Sequence, residues 1–289
     1  MKTTIKNLLI ILIFFFVWNN LLAQNSRILI PLDRYKFDIM SIDSGTIRIY
    51  YALNALDIND SKTYDDLQRL DIGRNLSKYY SSFYFNSDSL KRDFMKKNPK
   101  AQGIPTWPGE RGKIGSRWSI LMFSEFYKDF SKKTLTEYAN MPVGIPHSQY
   151  TEEIPVQDWQ LQDDTLTVCG YLCQKATCRF RGNDFTAWFA PELPISNGPW
   201  KFGGLPGLIL KIQDSGEHYI FECIKIESHA KKNPIIMFDE KRYQKIERIK
   251  LRQLEKEIHA NYYKFTALTT DDGIPFKFIP IPYHPLELE

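Results

Sequence analysis

The sequence predicts a mainly β protein built on an antiparallel sheet, in the form of a barrel, a half-barrel or a sandwich. Three observations favour this class. Aromatic residues make up 14% of the chain, with 16 Tyr and 19 Phe, and aromatic side chains suit the half-buried surface of a pleated sheet. Short runs rich in β-branched and aromatic residues recur at intervals of about 8–12 residues. Turn-forming residues separate many of these runs.

The N-terminal segment 1–23 has the features of a secretory signal peptide. Lys2 and Lys6 form a basic beginning, residues 8–18 are an uninterrupted apolar run, and Ala23 is the small residue that a cleavage site requires. A helix over residues 8–18 would span about 16 Å, too short for a hydrocarbon core of about 30 Å. We therefore expect cleavage after Ala23 and export to the periplasm, the cell surface or the medium. The mature chain is expected not to span the membrane; an uncleaved membrane anchor is the alternative.

The first half of the mature chain contains strand-like runs and one short helix. Residues 46–53 and 76–85 are rich in β-branched and aromatic residues, which predicts two strands. Helix-capping residues at 86–88 precede a run that predicts a short helix near 89–97. No break in composition divides the mature chain, so residues 24–289 are predicted to form one domain.

The second half of the chain has the pattern of many short strands. The clearest prediction is a hairpin of strands 208–213 and 218–226 that turns at residues 214–216. Both flanks are β-rich, and Asp, Ser and Gly suit a tight turn. Further strands are predicted at 118–129, 134–138, 150–159, 165–168, 172–180 and 185–189.

The last element has a different pattern. Residues 239–263 carry apolar residues near helical spacing and alternating Lys and Glu on the opposite face. This pattern predicts a C-terminal amphipathic helix near 239–263 that is docked on the sheet. A helix that lies on a membrane or binds a partner is the alternative.

Charge and motif content exclude several functions. The chain carries 38 Lys and Arg against 34 Asp and Glu; without Lys2 and Lys6 the balance is 36 against 34, a net charge of +2. This balance excludes a strongly basic nucleic-acid-binding protein. The five histidines lack metal-ligand spacing, and the sequence carries no nucleophilic serine, phosphate-loop or dinucleotide motif. We therefore predict no metal site, no cofactor, no catalytic residue and no nucleic-acid partner.

The redox state of the four cysteines is left open by the sequence; they are Cys169, Cys173, Cys178 and Cys223. An exported protein can form disulfides, and Cys169 and Cys173 flank a turn across which they could meet. Cys173 and Cys178 are an odd number of residues apart, so their side chains would face opposite sides of a regular strand. Buried thiols are the alternative to any pairing.

Residues 185–212 hold the densest group of Trp, Phe, Pro and Gly in the chain. In one interpretation this segment is a rigid aromatic cleft for a peptide, a sugar or a lipid. Its binding residues would be Trp188, Glu192, Trp200, Lys201 and Phe202. In the other interpretation the segment is a proline-stiffened connection whose aromatic residues plug the end of a barrel.

The same segment carries a family resemblance. Its signature GLPGLI consists of Gly204, Leu205, Pro206, Gly207, Leu208 and Ile209. This signature names the GLPGLI family of uncharacterised exported proteins, chiefly from Bacteroidota. Similar motifs are LDIG at 70–73, SKYYS at 77–81, GYLCQKAT at 170–177, TAWFA at 186–190, PISNGPWKF at 194–202 and PLEL at 285–288. His284 stands before the last motif where the family usually has Asn.

The chain therefore resembles the GLPGLI family over most of its mature length. The resemblance implies export and a single GLPGLI-type domain over residues 24–289. It implies no assigned activity. Because glycine has no side chain that could act in chemistry, we expect the signature to serve as a structural motif.

Three functions remain open at this point. We expect a non-enzymatic binding or envelope-associated protein, because the chain is β-rich and carries no recognised catalytic motif; its partner would be an envelope protein, a peptide or a glycan. A hydrolase acting on glycans or peptides is one alternative, and it predicts that Asp184, Glu192 and Asp214 converge on the cleft. A structural envelope subunit is the other alternative, and it predicts a large exposed apolar face.

Overall fold

The computed structural model describes residues 34–113, 119–266, 273 and 280–288, so the predicted signal peptide lies outside the described residues. The strands are β1 (Ile39–Leu53), β2 (Asp66–Ile72), β3 (Leu76–Ser81), β4 (Ser124–Asp129), β5 (Thr134–Ala139), β6 (Ser148–Glu153), β7 (Gln160–Val168), β8 (Tyr171–Phe180), β9 (Asn183–Ala190), β10 (Leu208–Asp214), β11 (Ile220–Phe238) and β12 (Gln244–Lys245). The helices are α1 (Ser82–Lys97), α2 (Ile120–Phe123) and α3 (Arg248–Asn261).

The predicted fold class is confirmed, since the described strands form one large sheet in which antiparallel pairs dominate. The strand order is β12-β6-β5-β4-β3-β2-β1-β11-β10-β9-β8-β7. Only the β12 and β6 pair is parallel among these neighbours. The predicted strands 134–138, 165–168, 172–180 and 185–189 lie within β5, β7, β8 and β9.

The sheet curls around the main hydrophobic core. β7 contacts β11 although β8, β9 and β10 separate them in the sheet. The concave side carries Tyr51, Leu70, Phe126, Phe189 and Ile212, each at most 1% exposed. Burial of a large apolar side chain stabilises a fold by about 1.5–3 kcal/mol, so this core holds the curled sheet together.

Helix α1 begins earlier than the predicted helix 89–97, and the predicted strand 76–85 ends at Ser81. The Ser81 hydroxyl accepts a hydrogen bond from the Tyr84 backbone N–H at 3.0 Å and so caps the first turn. Phe83 and Tyr84 are buried from this helical turn. Aromatic side chains can fill a core from a helix as well as from a strand, which explains the wrong boundary.

The other two helices also shift predicted boundaries. Helix α2 occupies part of the predicted strand 118–129, and β4 starts only at Ser124. Helix α3 is shorter than the predicted 239–263, because the residues before it form a 3-10 turn and then β12. Leu251 and Ile258 of α3 are fully buried, so the helix packs against the rest of the chain. None of the described helices is both long and apolar enough to cross a membrane.

The β10–β11 hairpin is confirmed, with a turn that is organised by Asp214. Its two carboxylate oxygens accept hydrogen bonds from the backbone N–H groups of Tyr219 at 2.7 Å and Gly216 at 3.2 Å. The residue with a left-handed backbone is Glu217, at φ 52°, and not Gly216. The Asp214 carboxylate accepts hydrogen bonds from both sides of the turn, and the left-handed residue therefore follows the glycine.

Candidate functional site

A groove of about 890 Å³ lies on the outer face of the sheet, opposite the main core. It forms where β4, β5 and β6 present alternate side chains outward and where residues 240–245 run along the edge of the sheet. The polar lining includes Asp129, Lys132, Thr136, Gln149, Thr151 and Glu240.

Three tyrosine rings form the floor of the groove. The ring centroids of Tyr127 and Tyr138 are 5.4 Å apart and those of Tyr138 and Tyr243 are 5.0 Å apart, both edge to face. The Tyr127 hydroxyl donates to Glu125 at 2.7 Å, and the Tyr243 hydroxyl donates to Asn140 at 2.8 Å. Burial raises the pKa of Tyr138 to about 12. The floor is therefore an uncharged aromatic cluster that hydrogen bonds hold in place, with each ring 5–6% exposed.

Hydroxyl groups and an ionised carboxylate form the walls. Thr136 and Thr151 lie opposite each other on β5 and β6, and their hydroxyls are 2.8 Å apart. Asp129 accepts a hydrogen bond from the Ser131 hydroxyl at 2.6 Å and lies 3.0 Å from the Lys132 ammonium. The Ser131 hydroxyl and Lys132 lower the pKa of Asp129 to about 2. The carboxylate is therefore ionised at neutral pH and can accept hydrogen bonds.

This combination of groups suits a ligand rich in hydroxyls. Aromatic rings offer apolar contact, while hydroxyls and carboxylates fix the orientation of a bound molecule. Sequence patterns do not identify these residues as one site, because they come from three strands and a distant segment. The available signal was the alternation of outward Thr134, Thr136 and Tyr138 with buried Leu135 and Glu137.

The five predicted binding residues do not share one surface. Trp200, Lys201 and Phe202 are at most 1% exposed, and both aromatic rings pack into the main core. Trp188 is half-buried and Glu192 is exposed. Burial of the first three agrees with the interpretation in which the segment plugs the core. The ligand role of the five residues stays a prediction.

The carboxylates named for a hydrolase lie outside the groove. Asp184 is 3.3 Å from Arg179 on the surface, and Asp214 organises the β10–β11 turn. Across the described ranges no group of His, Cys, Asp and Glu side chains is arranged to hold a metal ion. The polar side chains that line the groove carry hydroxyl, amide, carboxylate and ammonium groups.

Lys128 of β4 holds the segment 185–212 against the sheet from inside the core. Its ammonium group donates to the Asn197 side chain at 2.9 Å and to the carbonyl oxygen of Phe202. Lys128 is 4% exposed, and burial lowers its pKa to about 7. Both partners are neutral, so the charge of Lys128 is unfavourable in the folded state.

We expect Lys128 to make stability rise with pH. Its pKa of about 7 in the folded state lies below the roughly 10.4 of an unfolded chain. Between these values the unfolded state binds more protons, so stability increases as pH rises. The melting temperature of the wild type relative to Lys128→Met should therefore increase from pH 7 to pH 9. Parallel pH profiles for the two proteins would contradict a titrating buried lysine.

One family model matches part of the chain. Residues 131–253 match the family model described as "N-glycanase peptide, N-terminal domain". This segment is less than half of the chain. No curated protein matches the sequence.

Two solved structures of PNGF-II, in the P21 and C2 space groups, are similar to the chain. Each has a TM-score of 0.46 and 13% sequence identity over 74% of this chain. The matched region covers 34% and 33% of the two PNGF-II chains. The chain thus spans about a third of the length of the solved proteins that it matches.

Proposed function

We propose that the protein binds the carbohydrate of glycoproteins in the groove above Tyr127, Tyr138 and Tyr243, as the glycan-binding part of a glycan-hydrolysing system. One observation carries this proposal. Most residues that line the groove, Thr136 and Glu240 among them, fall within the segment 131–253 that resembles the N-glycanase domain. The similarity supports the alternative of a hydrolase acting on glycans or peptides more than a role in envelope assembly or a structural envelope subunit.

The chemistry of the groove supports the same ligand class. A sugar ring has an apolar C–H face and a rim of hydroxyls, and the groove combines an aromatic floor with Thr136, Thr151 and the ionised Asp129. Its volume of about 890 Å³ lies within the range of about 300–1,000 Å³ typical of small-ligand sites. Several sugar units can therefore share one continuous surface.

We also propose that the protein is exported and belongs to the GLPGLI family. The basic beginning, the apolar run 8–18 and Ala23 support export. The signature 204–209 and the accompanying motifs support the family. Export would bring the groove into contact with glycoproteins outside the cell.

The test is glycan-dependent binding. A glycoprotein with N-linked glycans is immobilised before and after enzymatic removal of its glycans, and binding of the mature chain is measured by biolayer interferometry. We expect binding to the intact glycoprotein only. Equal binding to both forms, or to neither, would overturn the proposal. If mass spectrometry detects glycans released during the incubation, the protein hydrolyses glycans as well as binding them.

Substitutions of lining residues test whether the ligand binds in the groove. Thr136→Val removes a wall hydroxyl, and Asp129→Asn removes the wall charge; each should weaken binding by about 5–10-fold, as expected for one hydrogen bond of roughly 1–1.5 kcal/mol. Thr167→Val makes the same chemical change on the exposed edge strand β7 and should bind like the wild type. If Thr167→Val lost as much affinity as Thr136→Val, the groove would not be the binding site.

A further inference from the structure

Cys169 occupies an unusual position for a cysteine. Cys169 and Gly170 are the two residues of the turn that joins β7 to β8, with φ angles of 49° and 84°. Two-residue turns with positive φ at both positions favour Asn, Asp and Gly, and other residues adopt this conformation at a cost. Cys169 is nonetheless exposed here. The turn thus presents a thiol at the surface where packing does not require one.

A second thiol lies directly against the first. Cys223 is on β11, opposite Tyr51 of β1, and is 3% exposed. The side chains of Cys169 and Cys223 interact, since the curl of the sheet brings β7 into contact with β11. The Cys223 sulfur is also 3.8 Å from the Lys225 carbonyl oxygen, and the Cys173 sulfur is 3.6 Å from the Tyr171 carbonyl oxygen. The cysteines that meet are therefore the pair separated by three intervening strands.

We propose that Cys169 and Cys223 form a disulfide by exchange with a small external disulfide such as oxidised glutathione. The exposed Cys169 thiolate attacks one sulfur of the external disulfide, displaces one thiolate and forms a mixed disulfide. Cys223 then loses its proton to solvent, attacks the Cys169 sulfur and displaces the second thiolate. Two protein thiols are oxidised, and one external disulfide is reduced to two thiols.

The environments of the four thiols support this selectivity. The hydrogen bond from Cys223 lowers the pKa of Cys169 to about 7, and the pKa of Cys223 is raised. Near neutral pH a large fraction of Cys169 is therefore thiolate, the form that reacts. Burial raises the pKa values of Cys173 and Cys178 to about 11 and 12. These two cysteines stay protonated under the same conditions and so do not begin the exchange. Cys223, whose pKa is also raised, acts in the second step because its side chain interacts with that of Cys169.

The disulfide would connect the edge of the sheet covalently to its centre. It would join the β7–β8 turn to β11 and close a loop of about fifty residues, which restricts the unfolded chain. The oxidised protein should therefore melt at a higher temperature than the reduced protein. This inference is independent of the proposed glycan binding.

The test is disulfide mapping of the wild type. The reduced mature chain is incubated with oxidised glutathione at pH 8, quenched in acid, denatured, alkylated and digested for mass spectrometry. We expect two alkylated cysteines per chain and one linked peptide pair that joins Cys169 to Cys223. Four alkylated cysteines, a lasting glutathione adduct on Cys169, or a link through Cys173 or Cys178 would each overturn the proposal.

Substitutions test the order of the two steps. Cys173→Ser should form the same link as the wild type, whereas Cys169→Ser should form none. Cys223→Ser removes the second nucleophile and should accumulate the glutathione adduct on Cys169. An adduct elsewhere, or none on Cys169, would show that Cys169 is not the attacking thiol. Because wild-type mapping needs no variant, a variant that fails to fold leaves the test intact.

Discussion

Glu287→Gln is expected to lower the free energy of unfolding by about 3 kcal/mol, because it leaves buried Lys201 with Glu152, at 3.3 Å, as its remaining carboxylate partner. Lys201 is fully buried, and its ammonium group donates to Glu287 and to the Tyr150 hydroxyl. The second oxygen of Glu287 accepts from Arg181 at 2.8 Å and from Arg248 at 2.6 Å. Glutamine keeps the shape of the side chain and removes the charge that these three cations require.

We expect low pH to destabilise the protein by protonating Glu287. Burial by itself raises the pKa of Glu287, but Lys201, Arg252 and Arg181 lower it to about 2, below the roughly 4.3 of an unfolded chain. A carboxyl group with a lowered pKa stabilises the fold above pH about 4.3, and this contribution is lost as pH falls towards 2. The melting temperature of Glu287→Gln should therefore fall less between pH 5 and pH 3 than that of the wild type.

Urea unfolding followed by tryptophan fluorescence measures the loss. Leu288→Ala is the control, since Leu288 is the next residue and is 60% exposed; its stability should stay within about 0.5 kcal/mol of the wild type. Lys201→Met combined with Glu287→Gln should be less destabilised than the sum of the single variants, because the two residues are in contact. A Glu287→Gln protein that unfolds at the wild-type urea concentration would refute the buried pair.

The Lys201–Glu287 pair marks the limit of prediction from this sequence. The family resemblance identifies both segments, but 86 residues separate the partners, and local patterns carry no information about such pairs. Long charged side chains are mostly exposed, so the sequence favours Lys201 as an accessible binding residue. Its burial depends on a carboxylate that only the folded chain brings to it.

Strands were predictable where the pattern is local. The β10–β11 hairpin follows from β-rich flanks and turn residues within one short stretch. The start of α1 was missed because Phe83 and Tyr84 suit a strand as well as a helix, and the Ser81 cap decides between them. The groove was missed because its floor joins Tyr127 and Tyr138 of the sheet to Tyr243 from a segment about a hundred residues later in the chain.

Gly207→Ala is expected to be the more damaging of the two glycine substitutions in the signature 204–209. An added Cβ would lie 2.2 Å from the carbonyl oxygen of Ala190 and 2.7 Å from its carbonyl carbon. These are backbone atoms held by the pairing of Leu208 with Ala190 between β10 and β9. One strand must therefore move, and we expect a loss of about 3 kcal/mol, at the upper end for overpacking. At about 2–4 °C per kcal/mol this lowers the melting temperature by roughly 6–12 °C.

Gly204→Ala should have a smaller effect through a different cause. Gly204 has φ +84°, and only Trp159 lies within 4 Å of an added Cβ, at 3.7 Å or more. The space is open, so the cost is left-handed strain of about 1–2 kcal/mol. Gly103→Ala is the matched control, since nothing lies within 4 Å and its φ is not in the left-handed region. It should melt at or slightly above the wild type, because alanine restricts the unfolded chain.

The order of the three melting temperatures separates a structural signature from a ligand clamp. If the glycines served to let a ligand approach the backbone, Gly207→Ala and Gly204→Ala would melt like Gly103→Ala and would lose only binding. The 2.2 Å approach to Ala190 instead places the backbone of this chain where a Cβ of residue 207 would be. Thermal melts should therefore rank Gly207→Ala lowest, Gly204→Ala next and Gly103→Ala highest, because a backbone clash costs more than an unfavourable φ, and an open position costs nothing.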